Sequence, residues 1–179
     1  MPLALVLCAA SPSSSALRSE DLVLYVQGSR AGELSSVDQP RSDGGFRMTR
    51  RATLELKRGA EVLQLSSRST CEVDPALTPL SFTYERSDAS GTMTHQARFT
   101  CRKGGGCRMA LTTSVGGVQQ QDQQELASGV TCMSALEVLA RRNLKDGFTH
   151  QGLAVAEELG VAPQQVRRPD LQGGRGTFD

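Results

Sequence analysis

The stretch FRMTRRATLELKRGAEVLQLSSRSTCEV, residues 46–73, decides the fold of this chain. Its first half alternates apolar and polar side chains, and the apolar ones are Phe46, Met48, Ala52, Leu54 and Leu56. A period of two is the pattern of a β-strand with one dry and one wet side. After Arg58-Gly59 the alternation resumes with Leu63 and Leu65. Two such runs around a glycine-containing break predict a long β-hairpin.

Shorter apolar or alternating runs on both sides of this hairpin predict further strands, of which the one at 33–38 is weak. They cover residues 21–27, 33–38, 80–85, 92–101 and 107–115, and most are joined by Gly- or Asp-containing turns. The polar run 119–125 fits an edge strand or a loop. Strands that follow one another through tight turns form an antiparallel meander. The residues expected to face the core or a ligand are Met48, Leu54, Leu56, Leu63, Leu65, Phe82, Tyr84, Phe99, Met109 and Leu111, and those on the helix described next are Leu136 and Leu139.

The period changes after Thr131, which fits a helix N-cap. Apolar residues then recur at spacings of three and four and predict a single helix over residues 132–142. Its apolar stripe needs a partner, and the dry face of the sheet is the available one, so we expect both Leu54 and Leu136 to be buried. The predicted fold is mainly β (α+β), with a curved antiparallel meander sheet of about eight strands packed on one late helix.

The chain divides into three parts by composition. Residues 1–20 form a signal-like segment and linker, in which apolar residues precede small ones and a cut could follow Ala10. Residues 21–160 form the β domain, in which the last piece is either a strand near 147–155 or a helical turn near 154–159. Residues 161–179 are expected to be a flexible tail or linker because they are rich in Gln, Arg, Pro and Gly.

The N-terminal segment predicts export to the periplasm or the extracellular space. Cys8 makes a lipid anchor the minor alternative, because lipoprotein signals place a small residue before the cysteine and Leu7 is not small. The remaining interpretation of this apolar N-terminal segment is a buried β-strand. No other segment reaches the roughly 18–20 apolar residues of a membrane span.

Charge and composition argue against nucleic acid as a partner. The chain carries 20 Lys and Arg against 19 Asp and Glu, for a net charge of +1, and it has no Trp and only two Tyr. Nucleic-acid-binding domains instead cluster basic residues on one face. The charged residues here fall mostly on the polar side of the predicted strands, as a solvated face requires.

Five cysteines and two histidines are the residues with the most reactive chemistry. No Cys-x-x-Cys is present, so we expect no metal site and no cofactor. Cys101 and Cys107 share a parity and flank the turn Arg-Lys-Gly-Gly-Gly, so they would face each other across a hairpin and could form a disulfide in an exported protein. Two small apolar residues at the end of a core face are the alternative.

Cys132 at the start of the predicted helix is the strongest catalytic candidate, because a helix N-terminus lowers the pKa of a thiol. Its nearest histidine in sequence is His150, and no third orienting group is evident. His95 lies on the dry parity and is expected to be a hydrogen-bonded core residue. We therefore expect no catalytic site. If one exists, Cys132 and His150 are the candidate catalytic residues.

The order of features resembles a known family. A short strand ends at Gly28, the long hairpin follows, a proline-containing link leads into Leu80-Ser81-Phe82, and the helix comes last. This order resembles the N-terminal β domain of exported bacterial transglutaminase-like proteins, which is similar in shape to the half-barrels of periplasmic lipoprotein carriers. The resemblance covers residues 20 to about 165 and implies a domain that precedes an enzyme. The catalytic Cys, His and Asp of that family belong to the following domain and match no position here.

Three functions follow as expectations. The first is a non-catalytic exported accessory or binding domain whose partner is a hydrophobic small ligand or a protein segment. The second is a periplasmic carrier that binds a lipid or acyl chain on the concave sheet face. The third is a thiol hydrolase or acyltransferase that uses Cys132.

Overall fold

A computed structural model describes residues 17–26, 28–58, 61–142, 153–158 and 161–165. Its main element is an open eight-stranded antiparallel sheet in which each strand pairs with the next along the chain. The predicted mainly β fold, a meander of about eight strands with one late helix, is confirmed. The strands are β1 (Arg18–Val26), β2 (Ser29–Pro40), β3 (Phe46–Arg58), β4 (Glu61–Val73), β5 (Pro79–Asp88), β6 (Gly91–Cys101), β7 (Cys107–Val115) and β8 (Val118–Leu126).

The predicted central hairpin is strands β3 and β4. They pair without a register shift from Phe46 opposite Val73 to Arg58 opposite Glu61. This register places Met48 opposite Cys71 and Leu54 opposite Leu65. The polar run 119–125, for which a loop was the alternative, belongs to edge strand β8.

A second, smaller unit follows the sheet. It contains β9 (Val130–Cys132), a 3₁₀ turn (Met133–Ala135), α1 (Leu136–Arg142), β10 (Leu153–Ala156) and β11 (Val161–Gln165). Strand β10 pairs in parallel with β9 and antiparallel with β11. We call residues 130–142 and 153–158 the cap, because they pack on one face of the large sheet.

The start of the helix and the end of the chain differ from the sequence predictions. The helix was expected from residue 132, but Val130–Cys132 is a strand, and the Thr131 hydroxyl donates to the carbonyl of Leu77 (2.7 Å) instead of capping a helix. The last predicted piece forms a strand at Leu153–Ala156. Residues 161–179 were expected to be a tail, but Val161–Gln165 forms strand β11, which pairs with β10. Residues 1–16 and 166–179 lie outside the described residues.

The two faces of the large sheet differ in composition. On the face that carries the cap, Met48, Cys71, Phe82, Ala97 and Leu111 lie side by side across five strands. We call them the core row, and all five are buried. On the opposite, polar face, the corresponding positions carry threonine, glutamine, arginine and glutamate. The hydrophobic core therefore lies between one face of the sheet and the cap.

The predicted core residues, apart from Leu56, fall into three groups by burial. Met48, Phe82, Tyr84, Met109 and Leu111 are buried. A second group is only partly buried and comprises Leu54, Leu65, Phe99, Leu136 and Leu139. Leu63 is 52% exposed, and the side chain of Leu56 lies outside the described part. The expectation that Leu54 and Leu136 are buried was wrong. Ala135 and Val138 occupy the core side of the helical segment, and Leu54 lies beyond the region that the cap covers.

Candidate functional site

A disulfide joins the cap to the sheet at the centre of the core. Cys71 of β4 is bonded to Cys132 of β9 across 61 residues, and both side chains are fully buried. Cys132, the candidate nucleophile, therefore has no free thiol in this state, and His150 lies outside the described residues. The sequence reasoning missed this pair. The available signal was the position of Cys71 on the dry parity of β4.

The second disulfide is the hairpin pair that the sequence suggested. Cys101 and Cys107 are opposite each other at the end of β6 and β7, with an S–S distance of 2.05 Å. The turn between them is closed by a hydrogen bond from the Arg102 amide to the Gly106 carbonyl (3.2 Å). Gly104 has a φ of 71°, a left-handed conformation that glycine adopts without the steric cost that a side chain adds.

An ion-pair cluster also holds the cap against the sheet. Asp38 of β2 is 6% exposed and accepts hydrogen bonds from Arg50 of β3 (2.7 Å) and from Arg141 of α1. Arg50 also donates to Glu137 of α1 (3.0 Å) and to the carbonyl of Ser134 (3.4 Å). Sequence reasoning missed this cluster. Its signal was the charge of Arg50 within the apolar alternation of β3.

A polar row crosses the capped face next to the core row. It contains, in register from β1 to β8, Glu20, Ser36, Arg50, Ser69, Tyr84, His95, Thr113 and Gln120. Each hydrogen bond and ion pair described above between the cap and the rest of the chain reaches either this row or the side of it on which the core row lies. The polar row therefore marks the limit of the covered area.

His95 and Tyr84 are the buried aromatic members of this row. The rings are stacked with centroids 5.9 Å apart, and Nδ1 of His95 lies 2.9 Å from the Thr113 hydroxyl. Burial lowers the pKa of His95. Burial, followed by the charge of Glu158, raises the pKa of Tyr84. His95 is thus a hydrogen-bonded core histidine, as the sequence predicts, and its ring is only slightly accessible to a substrate.

Glu157 is the most buried acidic group of the cap, with 3% exposure. Its Oε1 accepts hydrogen bonds from the Ser134 hydroxyl (2.6 Å) and from the Ser134 amide (3.2 Å). Burial raises the pKa of this carboxyl. The hydrogen bonds fix β10 relative to the start of the helical segment.

Beyond the polar row, the capped face becomes apolar again. The residues there are Leu22, Leu24, Leu34, Ala52, Leu54, Leu63 and Leu65, which are brought together by the pairing of β1 to β4. We call them the leucine patch. Leu63 is 52% exposed and the others are partly buried. This patch is the candidate functional site, because apolar side chains gathered at an exposed end of a sheet are typical of an interaction surface.

A concavity of about 890 Å³ lies at the same end of the sheet. Side chains of Glu33, Thr53, Glu55 and Gln64 contribute to its lining. Its wall combines charged groups of both signs and neutral polar groups with apolar side chains, including Val62, Leu54 and Leu65. Within the described ranges, all four cysteines are in disulfides, and we find no nucleophile paired with an accessible base there.

No helix within the described residues is long and apolar enough to cross a membrane. Comparison with protein-family models, with curated proteins and with solved structures finds no match to this chain.

Proposed function

We propose that this chain is a non-catalytic exported binding domain and that its leucine patch is the contact surface for a protein segment. The observation that carries the proposal is the division of the capped face by the polar row. On one side of the row, apolar residues are covered by the cap; on the other, the apolar patch has Leu63 half exposed. A protein segment with apolar side chains would cover the patch as the cap covers the core row.

Export is supported by the two disulfides, because disulfides persist in oxidising compartments and are rare in the cytosol. The accessory role is supported by the order of strands, hairpin and late helix, which resembles the domain that precedes a transglutaminase-like catalytic domain. In that arrangement the patch would contact either the following domain or a protein substrate.

A carrier function is the second candidate, and the leucine patch favours it as well. An acyl chain needs an apolar surface of this kind and no specific polar partner. Organic extraction of the purified protein separates the two functions. A carrier releases a stoichiometric lipid, whereas a protein-binding domain releases none. Reaction of native Cys132 with iodoacetamide would instead support the thiol-enzyme function.

Photo-cross-linking in the cells that make this protein tests the proposal. A benzophenone amino acid replaces either Leu63 or Val62, which are adjacent on β4, are each 52% exposed and point to opposite faces of the sheet. Equal exposure makes Val62 a matched control for a reactive group at Leu63.

We expect a defined protein adduct from position 63 and a much weaker one from position 62. A lipid adduct confined to position 63 would favour the carrier function over the protein-binding function. Equal adducts from both positions, or none from position 63, would contradict a role for the leucine patch.

A further inference from the structure

A carboxylate lies beside the buried Cys71–Cys132 pair. The two sulfurs and a carboxylate oxygen of Glu157 all lie within 4.8 Å of one another. The exposed fractions are 0% for both cysteines and 3% for the glutamate. These three residues come from three different strands or turns, so the fold brings them together without any local sequence motif.

This donor set is the one that Zn²⁺ and related thiophilic cations prefer. Thiolate sulfur binds zinc at about 2.3 Å and carboxylate oxygen at about 2.0–2.2 Å, so tetrahedral ligands lie roughly 3.5–3.8 Å apart. The Cα atoms of the two cysteines are 6.8 Å apart. Rotation of the two side chains can therefore separate the sulfurs to that spacing while β4 and β9 stay in place.

The environment of the carboxylate also fits a ligand. The Ser134 hydroxyl and amide both donate to Oε1 of Glu157, and such outer hydrogen bonds fix the orientation of a metal-binding carboxylate. With three protein ligands, a tetrahedral ion retains one position for a water molecule.

We propose that, when Cys71 and Cys132 are reduced, they and Glu157 form a buried binding site for a thiophilic divalent cation such as Zn²⁺. A dithiol reductant supplies two electrons and two protons to the disulfide and becomes a disulfide itself. The cation then displaces the two thiol protons. An oxidising disulfide later takes two electrons from the thiolates, the S–S bond re-forms and the cation is released. Cation and disulfide are mutually exclusive at this position, and the inference does not rest on the proposed function.

Cobalt binding provides the test. Cys8, Cys101 and Cys107 are replaced by serine, so that the core pair supplies the only thiols. The protein is reduced with a dithiol, which is removed under anaerobic conditions before Co²⁺ is added. We expect a thiolate-to-cobalt charge-transfer band that saturates at one equivalent and disappears when Zn²⁺ is added. The same protein left oxidised should show no band.

The glutamate is tested against its neighbour. Loss of an outer-shell partner lowers metal affinity by about 10–100-fold. Glu157→Gln removes a direct ligand, so it should weaken Co²⁺ binding by at least about tenfold. Glu158→Gln, at the adjacent exposed position, should bind as the parent does. Far-UV circular dichroism checks that each reduced protein keeps its sheet.

Three results would overturn the proposal. The first is a folded reduced protein that gives no charge-transfer band. The second is a band that Glu157→Gln leaves at full affinity. The third is a reduced protein that unfolds and is not refolded by one equivalent of Zn²⁺.

Discussion

Removal of the two disulfides separately should destabilise the protein by different amounts. The Cys71–Cys132 bond closes a loop with a sequence separation of 61, and the Cys101–Cys107 bond one of 6. A cross-link reduces the entropy of the unfolded chain according to the logarithm of the loop length. This relation gives about 4 kcal/mol for the long loop and about 2 kcal/mol for the short one.

The comparison uses two double variants, C71A/C132A and C101A/C107A. The first should lose about 2 kcal/mol more free energy of unfolding than the second, since 1.5RT multiplied by the logarithm of the loop ratio is about 2 kcal/mol. Truncation at two fully buried positions adds to this difference. Equilibrium urea unfolding followed by far-UV circular dichroism is the assay, because the chain has no Trp. If C71A/C132A loses no more stability than C101A/C107A, the long cross-link between sheet and cap is refuted.

Three further predictions concern the cap and the polar row. Val138→Ala should lower the free energy of unfolding by about 2 kcal/mol because its side chain is buried, while Leu136→Ala, at a partly exposed position, should cost less in the same urea assay. Asp38→Asn leaves two arginines without their buried carboxylate and should cost about 3 kcal/mol, a loss that thermal unfolding would detect; an unchanged melting temperature would count against the cluster. Burial lowers the pKa of His95 below the value of about 6.5 that the imidazole has in the unfolded chain. As the pH falls below about 6.5, the unfolded state therefore binds the proton first, and the free energy of unfolding decreases. Urea titrations between pH 8 and pH 5 should therefore show a steeper loss for the parent than for His95→Gln, and equal slopes would contradict this assignment.

The sheet was predictable from the sequence because its signals are local. The alternation in β3 and β4 defines both strands and the register between them, since the side-chain period is two and one face must be buried. The hairpin pair Cys101 and Cys107 could be suggested for the same reason: the turn length alone places the two residues opposite each other.

The attachment of the cap could not be predicted, because it depends on contacts between distant residues. The Thr131 hydroxyl binds a carbonyl 54 residues earlier, and Arg50 reaches a carbonyl 84 residues later. A residue that looks like a helix cap is thus used to fix a strand. Strand β11 escaped notice because its range is rich in Gln, Arg, Pro and Gly. Its Pro163 is tolerated because β11 is at the edge of its small sheet.

The central claim is that the leucine patch of an exported domain is covered by a partner, and accessibility in the cell tests it most directly. Leu63→Cys and Val62→Cys are made in a Cys8→Ser background and treated with a membrane-impermeant maleimide, once as purified proteins and once in intact cells of the source organism. The purified proteins should react at similar rates, because positions 62 and 63 are equally exposed. In cells, we expect Val62→Cys to be labelled still and Leu63→Cys to be protected. Equal labelling at both positions in cells would contradict the claim that a partner covers the patch, and no labelling at either position would contradict export.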